Sequence, residues 1–400
     1  MEVAVKMALR AATLRNGWSP EDEILILGLK NSYHGDTIGT MDLSEPSIYN
    51  KKVEWYSGRG HWLDFPQVKM RKGQWVVEPP EEWEGAQATF GQGRTFGSLD
   101  DVFDFEKRSQ DHFFYKKYCD VMLAGLEKAG KKIGALILEP ILLGAGGMMF
   151  ADPLFQRCLV EAVRNNSSNS RASPDENEWA GMPVIFDEVF TGLYRLGRFS
   201  AASFLDVNPD IVVHAKLLTG GLLPLCTTTA SQSIFEAFLS DDKSDALLHG
   251  HSYTAHAVGC AVANQSLDTM MKMDRDGTWT VFKESWSQPG HDASLPAERV
   301  TGAWSMWSNA FVKAISHRSN VDYVFALGSV LAISLKDPAG ASYASTAATG
   351  LRDKLFAGEP GEQWVIHSRV LGNVLYLMAA TTTSRETLEV IEEKVFTALE

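Results

Sequence analysis

The chain has 400 residues, with 37 Lys and Arg against 50 Asp and Glu and a formal net charge of −13. That acidity argues against nucleic acid or an anionic membrane as the main partner, and no apolar run approaches the ~20 residues needed to span a bilayer. With 45% hydrophobic and 22% charged residues, a globular chain of two domains, or one elaborated domain, is expected.

The first segment, MEVAVKMALRAATLRNG, has helical periodicity from its second residue with no cap in front. It lacks the longer apolar core and small-residue cleavage site of a signal peptide, and reads as the interior of something longer. EILILGL (23–29), IGALIL (133–138), MPVIFDEV (182–189), DIVVHA (210–215) and PLCTTTA (224–230) predict strands buried on both faces. PLFQRCLVEAVRNN (153–166) and AHAVGCAVANQSLDTMMKM (255–273) predict helices between or after them. Strands alternating with helices imply crossovers, hence an α/β fold with a mainly parallel sheet covered on both faces. The stretch 50–98, rich in Trp, Gly and Pro, fits neither period and reads as an insert. Two polar stretches, 165–181 and 276–299, read as surface excursions.

From about residue 274 the texture changes. GAWSMWSNAFVKAISHR (302–318) predicts a helix, YVFALGSVLAISL and VLGNVLYLMAA predict strands, and the C-terminus closes with a helix whose Thr383 and Glu386 have capping-box spacing. The expected division is a large domain over 1–273 and a smaller α+β domain over 274–400. Four cysteines, Cys119, Cys158, Cys226 and Cys260, lie far apart, which suits unpaired thiols in a reducing compartment and gives no zinc spacing. HGH (249–251) with His256 lacks a carboxylate or cysteine to complete a metal cluster, so no metal is expected. A loop and the cap of the following helix is the better reading.

In parallel sheets ligands bind beyond the carboxyl ends of the strands, where both Asp187 and Lys216 fall. Lysine is almost never fully buried unless paired or consumed in chemistry. An aspartate after one strand and a lysine before TGG after another would suit pyridoxal 5′-phosphate. That cofactor needs a primary amine to condense with its aldehyde and a carboxylate against its ring nitrogen. From these two residues alone an ordinary salt bridge is the commoner explanation.

Five ordered motifs change that balance: NSYHGDTIGTMD (31–42), LILEPILLGAGGM (136–148), FDEVFTGLYRLGRF (186–199), AKLLTGG (215–221) and LHGHSYTAHAVGCAVANQSL (248–267). In them the sequence resembles the class III, PLP-dependent aminotransferases, of fold type I, and within these the branch that aminates 8-amino-7-oxononanoate in biotin synthesis. The Trp-rich stretch looks like the plant and fungal version, in which the aminotransferase follows a dethiobiotin synthetase domain. The resemblance implies that Lys216 bonds the cofactor, Asp187 faces its ring nitrogen and Tyr33, followed by His34, stacks on its ring. Ser252 falls where the family has a threonine that reaches the phosphate in the neighbouring subunit of a dimer. Arg369 matches the arginine that receives the substrate carboxylate, Tyr376 a substrate-site tyrosine, and Asp36 and Gly250 line the same pocket. Glu139, before Pro140, is expected to anchor the loop over the site. S-adenosylmethionine is the family's usual donor, lysine serving in some members, and the eukaryotic members imply a mitochondrial setting. The family's glycine–serine phosphate loop, which precedes the first helix, has no counterpart here, so weak cofactor binding is an expectation. Another class III ω-amino-acid transaminase and a truncated, non-catalytic subunit remain the alternatives.

Overall fold

A computed structural model describes residues 1–19, 21–83, 93–165, 179–287, 302–338, 340, 343–358 and 365–400. Six strands form the first sheet: β1 (Ile24–Leu29), β2 (Gly60–Leu63), β6 (Lys132–Leu138), β9 (Val184–Asp187), β10 (Ile211–His214) and β11 (Thr227–Ala230). Their order is β11-β10-β9-β6-β1-β2, parallel throughout except for the β10–β11 pair.

The centre of this sheet is apolar on both faces because a strand turns successive side chains to opposite sides. Ile137 and Ile185 pack with Ala4, Ala8 and Ala11 of the helix Glu2–Asn16. Their neighbours Leu136, Leu138, Val184 and Phe186 join the larger core with the helix Pro153–Asn165. Alanines on the first helix let it lie close to the sheet. β11 departs from expectation. It is an antiparallel edge strand of three threonines and an alanine, half exposed rather than buried on both faces.

The second sheet is antiparallel, in the order β14-β15-β13-β12-β3-β4-β5. Its late strands are β12 (Val321–Leu327), β13 (Val330–Leu335), β14 (Arg369–Leu371) and β15 (Val374–Met378). Its early strands, β3 (Gln67–Arg71), β4 (Gln74–Glu78) and β5 (Arg94–Phe96), come from the stretch expected as an insert. The sheet therefore crosses the expected boundary at 273/274. Met70 pairs with Val324, and Arg71, held by Glu78 of the neighbouring β4, binds Asp322 across the seam. The two remaining strands, β7 (Leu142–Leu143) and β8 (Met149–Phe150), pair only with each other.

Three local expectations need correction. Of 302–318 only Asn309–Ile315 is helical; Trp304 and Ser305 instead bond Gly328 at the β12–β13 turn. The last helix is Arg385–Ala398, and its cap is Ser384, whose hydroxyl accepts from Thr387 N–H at 3.3 Å, one residue later than expected. Residues 276–287 form no surface excursion, since Trp279, Phe282 and Trp286 are buried. The rest of that stretch, and 166–178 of the other, lie outside the described residues.

Candidate active site

β9 and β10 are parallel neighbours, with Val213 opposite Asp187, so Asp187 and the turn after β10 share one end of the sheet. β10 stops at His214, and Lys216 opens a short turn with φ +48°, a left-handed conformation unusual outside glycine. Gly220 and Gly221 follow with φ +60° and +82°, which explains TGG: the chain must turn through positions that side chains disfavour. The Lys216 ammonium lies 5.3 Å from the Phe190 ring centroid. Among the described residues it has no hydrogen bond or ion pair. Its side chain keeps an open face, yet the protein around its amine desolvates it and pushes its pKa down. Asp187 and Glu139 pull the other way, and Arg195 adds to the depression.

Asp187 is buried and braced. Its Oδ2 lies 2.8 Å from Nδ1 of His34, and its Oδ1 accepts from Val189 N–H at 3.1 Å. Nε2 of His34 is buried with no partner among the described residues. Glu139, at the end of β6, accepts from the N–H of Tyr33 and of Gly144, each at 3.0 Å. One carboxylate thus ties the Tyr33 loop to the GAGG turn, the anchoring role expected of it. Burial, reinforced by the charge of Asp187 and opposed by His34, pushes its pKa up to about 7. Gly146 is needed there for space: a Cβ at that position would stand 1.5 Å from the carbonyl oxygen of Asn31.

Tyr33 donates from its hydroxyl to Asp36 at 2.8 Å, and 41% of its surface stays open. Desolvation first, then Asp36, raises its pKa to about 12. Tyr33 lies within electrostatic reach of Tyr343 and Asp187, and Tyr343 within reach of Tyr49, Tyr376 and Arg369. Arg369 and Tyr376 face each other as a β14–β15 pair. Tyr49 and Tyr343 meet edge to face at 5.4 Å. The tyrosines so connect Arg369 to the Tyr33–Asp36 side of the site. Neither Tyr49 nor Tyr343 is suggested by sequence, because each lies in a stretch without periodicity.

Arg195 and Phe190 are also new. The Arg195 guanidinium stacks 5.6 Å from the Phe190 ring centroid and donates only weakly, at 3.4 Å, to Ser329. Burial lowers its pKa to about 10, and no carboxylate among the described residues offsets that. Ser252 and Gly250 sit on an exposed loop, and no hydrogen bond joins them to the other candidates. His256 caps the helix Ala257–Arg275, as expected, by accepting from Gly259 N–H at 3.1 Å.

An unpaired amine, a braced carboxylate and a part-open aromatic residue are gathered around Asp187 and Glu139. They fit pyridoxal 5′-phosphate, which brings an aldehyde, a ring nitrogen and a flat face.

Residues 98–278 match the family Aminotransferase class-III. The chain is 59% identical to the bifunctional dethiobiotin synthetase/adenosylmethionine-8-amino-7-oxononanoate aminotransferase of Emericella nidulans, over 98% of this chain and 50% of that protein. It is 36% identical to the mitochondrial bifunctional dethiobiotin synthetase/7,8-diamino-pelargonic acid aminotransferase of Arabidopsis thaliana, over 100% of this chain and 44% of the relative. The chain thus spans about half the length of the curated relatives it matches. The crystal structure of adenosylmethionine-8-amino-7-oxononanoate aminotransferase from Methanocaldococcus jannaschii superposes with a TM-score of 0.67 at 21% identity, covering 100% of this chain and 72% of that one. An amine transaminase of an uncultivated Pseudomonas species, solved in its PLP-bound form, gives 0.65 at 20%, covering 100% and 74%. These two share the fold. Motifs, architecture and relatives agree that the chain carries an aminotransferase class III domain.

Proposed function

We propose that this chain carries the PLP-dependent transamination of 8-amino-7-oxononanoate to 7,8-diaminononanoate in biotin synthesis, with S-adenosylmethionine as amino donor. The single supporting observation is the Lys216 amine, unpaired and desolvated, beside the Asp187–His34 pair. The fungal and plant relatives, named for that step, supply the substrate. A homodimer is part of the proposal, with Ser252 reaching the partner's cofactor phosphate. A mitochondrial setting follows the plant relatives; among the described residues no helix is long and apolar enough to cross a membrane. The division into 1–273 and 274–400 stays a proposal, with β3–β5 lent to the later unit.

When bound, pyridoxal 5′-phosphate supplies an electron sink that lets an amino-bearing carbon release a proton. In our reading Asp187 holds negative charge at the ring nitrogen, and the brace of His34 and Val189 keeps that carboxylate from turning. Lys216 Nζ would hold the cofactor through its aldehyde and would supply the base that takes and returns a proton at the substrate carbon. Its desolvated surroundings favour the neutral amine that both tasks need. Tyr33 covers one face of the ring, positioned through its backbone by Glu139. Arg369 takes the carboxylate of the keto acid in a two-pronged grip. Tyr376, Tyr343 and Tyr49 wall the path to it, and Asp36 and Gly250 face the amino end of the substrates.

Incubating the protein with PLP, 8-amino-7-oxononanoate and either S-adenosylmethionine or lysine, then measuring diaminononanoate, tests the reading. Product with neither donor, alongside turnover of ω-amino acids, would replace it with the broader transaminase.

A further inference from the structure

Away from the pyridoxal site, three metal-binding side chains converge where two helices pack. His112 lies on the helix Ser109–Lys128; Cys158 and Glu161 lie on the helix Pro153–Asn165. Nitrogen, sulfur and oxygen stand within 4.8 Å of one another. Cys158 and Glu161 are three residues apart and so share a helix face. Nε2 of His112 is 3.4 Å from Oε2 of Glu161, and Sγ of Cys158 is 3.9 Å from the His112 carbonyl oxygen. Both contacts are loose. Arg157 donates to the other Glu161 oxygen at 2.8 Å, which holds the carboxylate in place.

We propose that His112, Cys158 and Glu161 form a site for a zinc-class divalent cation that bridges the two helices. Imidazole, thiolate and carboxylate together suit zinc and its neighbours, not the all-oxygen sites of calcium or magnesium. Zinc sits about 2.0–2.3 Å from such ligands, which separates tetrahedral donors by roughly 3.3–3.7 Å. Closing the present spacing takes shifts of about 1 Å. His112 and Glu161, whose side chains are 39% and 34% exposed, have the freedom to make them. A cleft of about 910 Å³, lined by His112 and Arg157, opens beside the site. Two cations, Arg157 and Lys116, stand nearby and oppose a further positive charge, but each is paired to an aspartate, Asp206 at 3.1 Å and Asp120 at 3.0 Å. A thiol must lose its proton to bind a metal, so binding releases a proton and tightens with rising pH. Scattered cysteines hid the site from sequence, because its ligands come from two helices.

The test is a Co²⁺ titration of the chelator-treated protein. One equivalent should produce a near-ultraviolet thiolate-to-cobalt band and visible bands of four-coordinate cobalt, both erased by Zn²⁺. Cys158→Ser should lose the thiolate band. Glu161→Gln and His112→Gln, at half-exposed positions that leave the core intact, should each weaken binding at least ~10-fold. Zinc should raise the melting temperature of the parent and not of His112→Gln. A thiolate band that survives Cys158→Ser, unchanged affinity in Glu161→Gln, or no cobalt spectrum at all would overturn the proposal.

Discussion

The imidazole of His34 and the carboxylate of Asp187 lie 2.8 Å apart, their side chains 0% and 5% exposed. A charge held this way cannot relax when its surroundings change, which is what preorganised electrostatic stabilisation requires. Asp187→Asn keeps the shape and removes the charge. We expect kcat to fall on the order of 100-fold or more, the scale for losing one preorganised group, with little loss of fold. His34→Ala leaves the carboxylate buried with one partner fewer, at a cost of about 1–3 kcal/mol in urea unfolding. Equal kcat in Asp187→Asn and parent would remove Asp187 from the chemistry.

Lys216 is expected to carry the cofactor. Borohydride reduction of the PLP-treated protein, followed by peptide mapping, should mark Lys216, and Lys216→Ala should give no mark. Since desolvation lowers its basicity, labelling should persist at pH values where surface lysines are protonated and inert. A mark on any other lysine sinks the assignment.

Arg369→Ala should raise KM for the keto acid by roughly 10- to 150-fold, the value of one charge-assisted pair, and leave the amino donor nearly unaffected. Steady-state kinetics with each substrate varied in turn separates this from a structural defect, which would raise both.

Much of this site was legible in the sequence, and the reason differs from part to part. β1, β6, β9 and β10 are short apolar runs, so their place in the sheet, and hence the strand-end position of Asp187 and Lys216, could be read directly, although β10 buries fully only Ile211 and Val213. β3–β5 were not legible: GHWLDFPQVKMRKGQWVVE alternates only over four or five residues between turns. Its partner, β12, is too remote to leave a local trace. The Ser384 cap was missed because Thr383 offers the same chemistry one position earlier, and only backbone geometry decides between them. Tyr49 and Tyr343 gave no signal, and Arg195, though inside FDEVFTGLYRLGRF, is marked out only by tertiary packing.

Glu139 makes stability depend on pH. Its pKa, about 7 in the folded chain, exceeds that of an unfolded glutamate, near 4.3. The native state therefore holds the extra proton between those values, and stability falls as pH rises through the window. The slope is at most about 1.4 kcal/mol per pH unit. Glu139→Gln should flatten it, which urea unfolding at pH 5 to 8 measures. An identical slope in both proteins would refute the assignment.

Gly146→Ala should disturb the site from outside it. The new methyl group meets the Asn31 carbonyl oxygen, a backbone atom that cannot swing away, so the loop carrying Tyr33 must move. We expect about 1–3 kcal/mol of destabilisation, typical of overpacking, together with weaker PLP binding in a fluorescence titration. Unchanged PLP affinity would mean that the loop and the turn are not coupled.

The shared second sheet has a consequence for how the chain is made. Asp322, which grips Arg71 across the seam, follows it by 251 residues. At translation speeds of about 5–20 residues per second the wait for β12 is roughly 10–50 s. Throughout it, β3 offers an unpaired edge beside the apolar face of Val68 and Met70, a template for the wrong strand. A nascent chain thus spends that interval with half a sheet open, and its yield in a cell should depend on chaperones more than its folded stability suggests.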